Sequence, residues 1–310
     1  MPRRTDEEQA DFQRALGSVA DEEPLSTAEL DALSVLEGAD LDTFRQVWRG
    51  LPAPARARLI RVLRGAAEQR LRLDFSSVNQ LALEDADEQV RLAAVECGLE
   101  DRSPRLLDRL LDLVRSDPSR QVRRAAAEDL ARFALLGELD DLDADSTRRV
   151  RERLVEVVHA PNEEQSVRAA ALAALGYFSD EATMRELAEA FTDASLRLGA
   201  VRGMGRSADP RWTDRLMPVL GSEDPQMREE AARALGEIED ERAVSPLVEL
   251  VDDQIPAVRL AAIEALGAIG GEEAREALLY VLEDGDPAVR DAAEQAISAL
   301  EERENDPLDL

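Results

Sequence analysis

The chain has 310 residues, of which 67 are Asp or Glu and 38 are basic, all of the latter Arg, so its formal net charge is −29. Such a charge repels a phosphate backbone and removes the attraction behind most non-specific nucleic-acid affinity, which argues against general nucleic-acid binding. One cysteine, Cys97, excludes an internal disulfide framework; with no apolar segment at the N-terminus and no run of about 18 apolar residues, the expectation is a soluble, cytoplasmic protein.

In chain order, residues 1–22 are polar and acidic without a sustained stripe and read as a flexible acidic tail. Order is expected from Ser26, where Ser26-Thr27-Ala28-Glu29 is a capping box: the Ser side chain accepts from a backbone N–H and the Glu reaches back to the cap. Leu30, Leu33 and Leu36 form a short stripe, and helical stretches over 41–51 and 54–73 follow, broken at Pro52 and Pro54. Residues 23–75 thus read as an N-terminal helical cap whose units have lost the repeat motif. Within it, 44–73 holds eight arginines (45, 49, 56, 58, 61, 64, 70, 72) against the single acid Glu68. That basic segment suits an anionic surface, an acidic protein, the chain's own acidic array or a second copy.

From 76 to 303 the sequence is a tandem array. Seven times a hydrophobic residue is followed by Arg and an Ala-rich apolar stripe; the anchors are Val90, Val122, Val167, Leu196, Met227, Val258 and Val289, at steps of 32, 45, 29, 31, 31 and 31 residues. A helical pattern recurring at that period predicts a solenoid of helix pairs, each burying its apolar face on its neighbours. With the anchor as n, positions n, n+4, n+8 and n+11 span about 80° of a helix. They are apolar or Gly in nearly every unit, as in Val258, Ala262, Leu266 and Ile269, so the stripe is assigned to the core of each second helix. First helices are expected over 105–115, 148–159, 181–191, 212–220, 243–251 and 273–282. Asp117-Pro118, Asp224-Pro225 and Asp286-Pro287 each place an N-cap acceptor before a Pro. A Gly recurs at n+9 (Gly176, Gly205, Gly236, Gly267), where it costs a helix about 1 kcal/mol relative to Ala. It either ends the helix or permits close backbone approach. Residues 304–310 read as a C-terminal tail.

Asp-Pro-Ala-Val-Arg-Asp-Ala-Ala at 286–293 and Val-Arg-Leu-Ala-Ala-Ile-Glu-Ala-Leu-Gly at 258–267 resemble HEAT repeats, nearest the short bacterial HEAT-like type associated with phycobilin lyases. The resemblance covers about 76–302. It implies an all-α fold, a right-handed α-solenoid of stacked antiparallel helix pairs, an armadillo-like superhelix. It also implies that the Arg after each anchor pairs with an acid in the preceding turn, forming a ladder between repeats. Arg91, Arg123, Arg259 and Arg290 have Asp85, Asp117, Asp253 and Asp284 six residues upstream, whereas the Leu196-Arg197 unit lacks that Asp.

Positions n+2 and n+6 lie opposite the core stripe and are expected to line the groove face of the second helices. In the middle of the array this face carries Leu198, Arg202, Arg233 and Leu260, with Arg206 and Arg211 nearby, and Leu198, Arg202, Arg206, Arg233 and Leu260 are the candidate partner-binding residues. The opposing reading is that the arginines neutralise acidic neighbours and that Trp212 packs in the core. The excess of the 45-residue step falls near 137–147, where Asp141, Asp143, Asp145 and Glu152 mimic a calcium-loop spacing. Ser146 stands where that loop needs Gly, so an acidic loop capped by Asp145 or Ser146 is expected instead. The sole histidine, His159, cannot supply the His-Glu pairs by which HEAT-like deoxyhypusine hydroxylases hold iron, and Cys97, at n+7, reads as a small core filler. With no phosphate loop, catalytic triad or Cys-x-x-Cys pair, no cofactor and no metal are expected. The function expected is a non-catalytic scaffold binding a protein or peptide on its concave surface. The alternatives are a bilin-lyase-like accessory enzyme and a HEAT-like DNA glycosylase, the latter opposed by the charge.

Overall fold

The structure, a computed structural model, describes residues 5–70, 72–98, 101–283 and 285–304. Among them there is no strand, and eighteen α-helices build an all-α solenoid of stacked helix pairs. The chain divides into two units, Met1–Phe133 and Ala134–Leu310.

The first unit opens with a helix where a tail was expected. In α1 (Asp6–Ala20) Thr5 and Glu8 close a capping box, with Glu8 N–H donating to Thr5 Oγ1 at 3.2 Å and Thr5 N–H to Glu8 Oε2 at 2.7 Å. Its apolar residues are few, but Phe12, Ala15, Leu16 and Val19 share one face and are all buried. That face packs on α2 (Thr27–Leu33) and α3 (Gly38–Gly50). The reading of 1–22 as a tail is therefore corrected for 6–20: tertiary burial of a narrow stripe outweighs an acidic composition. The Ser26–Glu29 box forms as expected, and Ser18 of α1 also donates to Glu29 at 2.6 Å, holding its carboxyl below the usual range.

Next come α4 (Ala53–Gln69), α5 (Ser76–Leu83), α6 (Glu88–Glu96) and α7 (Pro104–Ser116). Helix α4 packs along α6 as one second helix against the next, with α5 beside both. Helix α8 (Arg120–Glu138) starts three residues past Asp117, so Asp117 does not cap it directly; its carboxylate accepts the Ser119 N–H at 2.8 Å in the turn before.

In the second unit α10 (Gln165–Leu175), α12 (Arg197–Arg206), α14 (Pro225–Ile238), α16 (Pro256–Ile269) and α18 (Pro287–Glu304) stack in sequence. Their partners are α9 (Ala144–Val158), α11 (Glu181–Ala190), α13 (Thr213–Leu216), α15 (Val244–Val248) and α17 (Glu272–Val281). The first helices expected over 212–220 and 243–251 are broken. 3-10 turns at Pro210–Trp212 and Met217–Gly221 flank α13, and Glu241–Ala243 and Glu249–Asp252 flank α15. Pro218 and Pro246 lack the N–H that a continuous helix needs there, and short 3-10 pieces take over. The insertion is used mainly to lengthen α8 and α9; Asp143 caps α9, accepting from Asp145 and Ser146 N–H at 3.1 and 3.0 Å, in place of the expected Asp145 or Ser146. Asp145 and Glu152 are both taken up by Arg148.

Candidate functional site

The n, n+4, n+8, n+11 stripe is the core: every n+4 alanine from Ala94 to Ala293, and Leu130, Leu175, Met204, Leu235 and Leu266 at n+8, are buried. The n+9 glycines sit at the backbone contact between consecutive second helices. A Cβ on Gly176 would stand 2.2 Å from the Gly203 carbonyl oxygen, and one on Gly236 2.8 Å from Ala265 Cα. Gly205 and Gly267 meet Ala234 and Ala296 in the same way, at 2.7 Å from Ala234 Cα and from Ala296 Cβ. The rule is n+9 of one unit against n+7 of the next, with a small residue on both sides. Close approach is common to all four, and Gly176 in addition ends α10 as its C-cap, whereas Gly205, Gly236 and Gly267 lie inside their helices.

The arginine ladder exists with a different register. The expected acid six residues upstream offers its backbone carbonyl: Arg91 donates to Asp85 O at 2.9 Å, Arg123 to Asp117 O at 2.7 Å and Arg259 to Asp253 O at 3.0 Å. Any residue supplies a carbonyl, so Ser222 serves Arg228 at 2.8 Å and Phe191 serves Arg197 at 2.9 Å. The carboxylates instead receive the arginine of the preceding unit. Arg91 holds Asp117 through two bonds of 2.7 and 2.9 Å, and Arg228 holds Asp253 through two of 2.8 and 3.0 Å. Each Asp is turned that way because it also accepts an N–H two residues on, Asp85 from Asp87, Asp117 from Ser119 and Asp253 from Ile255. The Arg228 guanidinium keeps the Asp253 carboxyl below its usual range. Arg259 reaches Asp286 at 3.5 Å. The expected pair of Arg290 falls on Asp284, which lies outside the described residues.

The same rule exposes a rung that sequence reading missed. Arg56 donates to Asp85 at 2.8 Å, joined there by Trp48 Nε1 at 3.0 Å. Helix α4 is therefore a degenerate second helix with Ala55 as anchor, hidden because Ala replaces a large aliphatic residue. An Arg followed about 25–30 residues later by an Asp was the available signal for both Arg56 and Arg228.

Most of the basic segment is spent inside the first unit. Besides Arg56, Arg70 grips Asp31 at 2.7 and 2.8 Å, Arg72 reaches the same carboxylate at 3.2 Å, Arg58 pairs with Glu22 and Arg45 with Asp42. Arg64 holds Glu68 at 2.7 Å and the Glu96 carbonyl at 3.0 Å.

The groove residues lie on one stack of helices, and the charges of Arg202 and Arg233 are already answered. Leu198 and Leu260 are half-buried. Arg202 pairs with the buried Glu230, Arg233 with Glu229 at 2.7 Å, and Arg206 lies 5.4 Å over the Tyr177 ring. Loss of solvent around Glu237 pushes its carboxyl up, with Arg206 opposing. Arg211 joins Asp209 and Glu181, and Trp212 is buried, as the neutralising alternative expects. Between α16 and α18 a shallow groove of about 690 Å³ is lined by Glu239, Glu264 and Glu302, while Arg303 is turned onto the Gly267 and Ala268 carbonyls. His159 faces Glu186 at 3.1 Å. Among the described residues no group of three or more His, Cys, Asp or Glu could hold a metal ion, and no helix is long and apolar enough to cross a membrane.

A cavity of about 350 Å³ opens in the first unit between α4, α5 and the end of α6. Cys97, expected as core filler, is half-buried on its wall, and burial pushes the thiol up in pKa.

Residues 185–255 and 250–309 match a family model described as HEAT repeats. No curated protein sequence matches the chain. Among solved structures, an engineered protein is 25% identical over 63% of this chain and 98% of its own, with a TM-score of 0.40. The CpcE–CpcF complex of phycocyanin lyase from Nostoc sp. PCC7120 is 16% identical over 72% of this chain and 94% of its own, at a TM-score of 0.49. Kap95p, solved with RanGDP, is 15% identical over 96% of this chain and 46% of its own, at a TM-score of 0.50, a likeness of fold.

Proposed function

We propose, from the premise that this chain is a HEAT-repeat protein through 185–309, that it is a non-catalytic scaffold holding a basic protein or peptide segment along the second-helix face of α12 to α18. One observation carries the reading: these helices meet at backbone contact through Gly205, Gly236 and Gly267, which makes one continuous and preorganised face. Binding on such a face costs little ordering. Leu198 and Leu260 supply its apolar steps. Arg202 and Arg233 are neutralised by Glu230 and Glu229 and Arg206 lies over the Tyr177 ring, leaving Glu239, Glu264 and Glu302 to set its sign. On a chain of net charge −29 this field draws a basic partner and speeds its arrival.

The test is a cross-linked pull-down from native extract with the wild type, a Leu198→Glu/Leu260→Glu variant, a Glu239→Arg/Glu264→Arg variant and a control reversed at the exposed Glu7 of α1. A basic partner held by the wild type and the control, released by added salt and lost from both face variants is the expected result. The same partners eluting from all four proteins would sink the proposal.

A further inference from the structure

Each second helix of the stack turns two positions, n+3 and n+7, toward the helix before it. A Cβ on Gly199 at n+3 would stand 2.5 Å from the Ala169 carbonyl oxygen, and Gly203 at n+7 takes Gly176. One unit on, Glu230 at n+3 holds Arg202 and Ala234 at n+7 meets Gly205. From α10 to α16 both positions are buried in every second helix. Helix α4 departs from this. Counted from Ala55, its pair is Arg58, whose side chain is 57% exposed, and Val62, 45% exposed; a Cβ on Gly65, one turn further, would meet nothing within 4 Å. Beside them runs a groove of about 340 Å³, with Leu59 and Val62 on one wall and Val19, Pro24 and Leu25 on the other. The side that receives a preceding helix elsewhere in the stack is open on α4.

Helix α18 is open on the opposite side. Its n+9 residue is Ser298, exposed where Gly176, Gly205, Gly236 and Gly267 are buried, and Ile297 at n+8 is half-buried where Leu175, Met204, Leu235 and Leu266 are fully buried. Asp291 at n+2 is exposed as well. The contacts of the stack are n+9 on n+7, as Gly176 on Gly203, and n+2 on n+3, as Ala169 on Gly199. Between α18 and α4 the same rule sets the small Ser298 on Val62 and Asp291 on Arg58, which are opposite charges. Arg58 is paired with Glu22, an exposed pair of small worth that an incoming Asp291 replaces at little cost. Residues 1–133 hold 20 arginines against 26 acids and residues 134–310 hold 18 against 41, so an α18 end is repelled by its own kind far more than by a first unit. We propose that copies of this chain stack end to end, the α18 side of one copy seating on the open α4 groove of a second, with Ile297 turned toward the groove. The contact continues between copies the interface that already joins repeat to repeat. None of its residues carries the scaffold reading, which rests on Leu198, Leu260, Glu239, Glu264 and Glu302, so either stands without the other.

Sedimentation equilibrium on the full chain tests this. At near-physiological salt the weight-average mass of the wild type is expected to exceed the monomer's by at least about 1.5-fold at a few hundred micromolar, as suits a small contact. Arg58→Glu/Val62→Glu blocks one end and Asp291→Arg/Ser298→Arg the other; all four positions are exposed, so the melting temperature should hold. A head-to-tail contact joins two different surfaces, so each variant alone should sediment as a monomer, while a mixture of the two forms a dimer because each brings the end that the other lacks. Cross-linking gives a second measurement: Val62→Cys and Ser298→Cys, each placed in a Cys97→Ser chain, should form a mixed disulfide, and Glu7→Cys in place of either should not. A wild type that stays monomeric, association that only one of the two variants abolishes, or a mixture of folded variants that stays monomeric would overturn the proposal.

Discussion

The junction of α4 with α6 in the first unit and the stack from α10 to α18 in the second share one register and differ in what stands at n+9. Glycine there seats backbone on backbone, as Gly176 does on Gly203 and Gly236 on Ala265; Arg64 there leaves a cavity of about 350 Å³ beside Cys97. The ladder, by contrast, is common to both: Arg56 with Asp85 and Arg91 with Asp117 in the first unit match Arg228 with Asp253 in the second. Registration between repeats and sealing of the space between them are thus separate devices, and one can be relaxed while the other is kept.

The ladder gives the largest effect. Arg91→Ala strands Asp117, whose side chain is 2% exposed, and is expected to cost about 3–5 kcal/mol in a urea titration. Arg197, exposed and bonded to a carbonyl, should cost only about 0.5–1.5 kcal/mol when replaced by Ala. Equal losses would mean that carbonyl bonds, not ion pairs, register the repeats. Next in size is Gly176→Ala, which drives a Cβ into the Gly203 backbone and should lower stability by about 1–3 kcal/mol. The same substitution at Gly65 in α4 meets nothing within 4 Å and should raise stability by about 0.5–1 kcal/mol. Opposite signs for one chemical change would confirm that the close approach belongs to the second unit's stack.

Acid should act with the smallest and most gradual effect, through Asp253 of the ladder and through Asp240, which stands outside it and pairs with Arg242. Asp253 is held low by Arg228, and Asp240 is brought down to about 2 first by its bond with Arg242, then with help from backbone and Thr213. Both carboxyls bind protons less readily folded than unfolded. Their stabilisation is whole above the unfolded value of about 3.9 and is lost as pH falls through the folded values, toward about 2 for Asp240. Circular dichroism on acidification should show the loss beginning below roughly pH 4. Arg228→Gln should flatten the part due to Asp253, and an unchanged acid limb would remove Asp253 from the account.

The core was open to sequence reasoning because its signal is local. Val258, Ala262 and Leu266 fall on one helical face whatever lies next to them, and all three are buried. The Ser26–Glu29 cap was legible for the same reason. Helix α1 escaped because its stripe of Phe12, Ala15, Leu16 and Val19 is interrupted by charge and gains its meaning only against α2 and α3. Arg56 escaped because its anchor is Ala55, and Arg228 because its acid was sought six residues back and not in the following repeat. The arginines of the groove were placed on the right face, but their partners Glu230 and Glu229 decide how much charge they show.

Sequence by itself determined the period, the buried stripe and the residue types at n+1 and n+9, because each follows from the geometry of one helix. Which Arg meets which Asp and why glycine recurs were decided only in three dimensions. Those contacts join residues from neighbouring repeats, and their adjacency exists only once one helix is laid against the next.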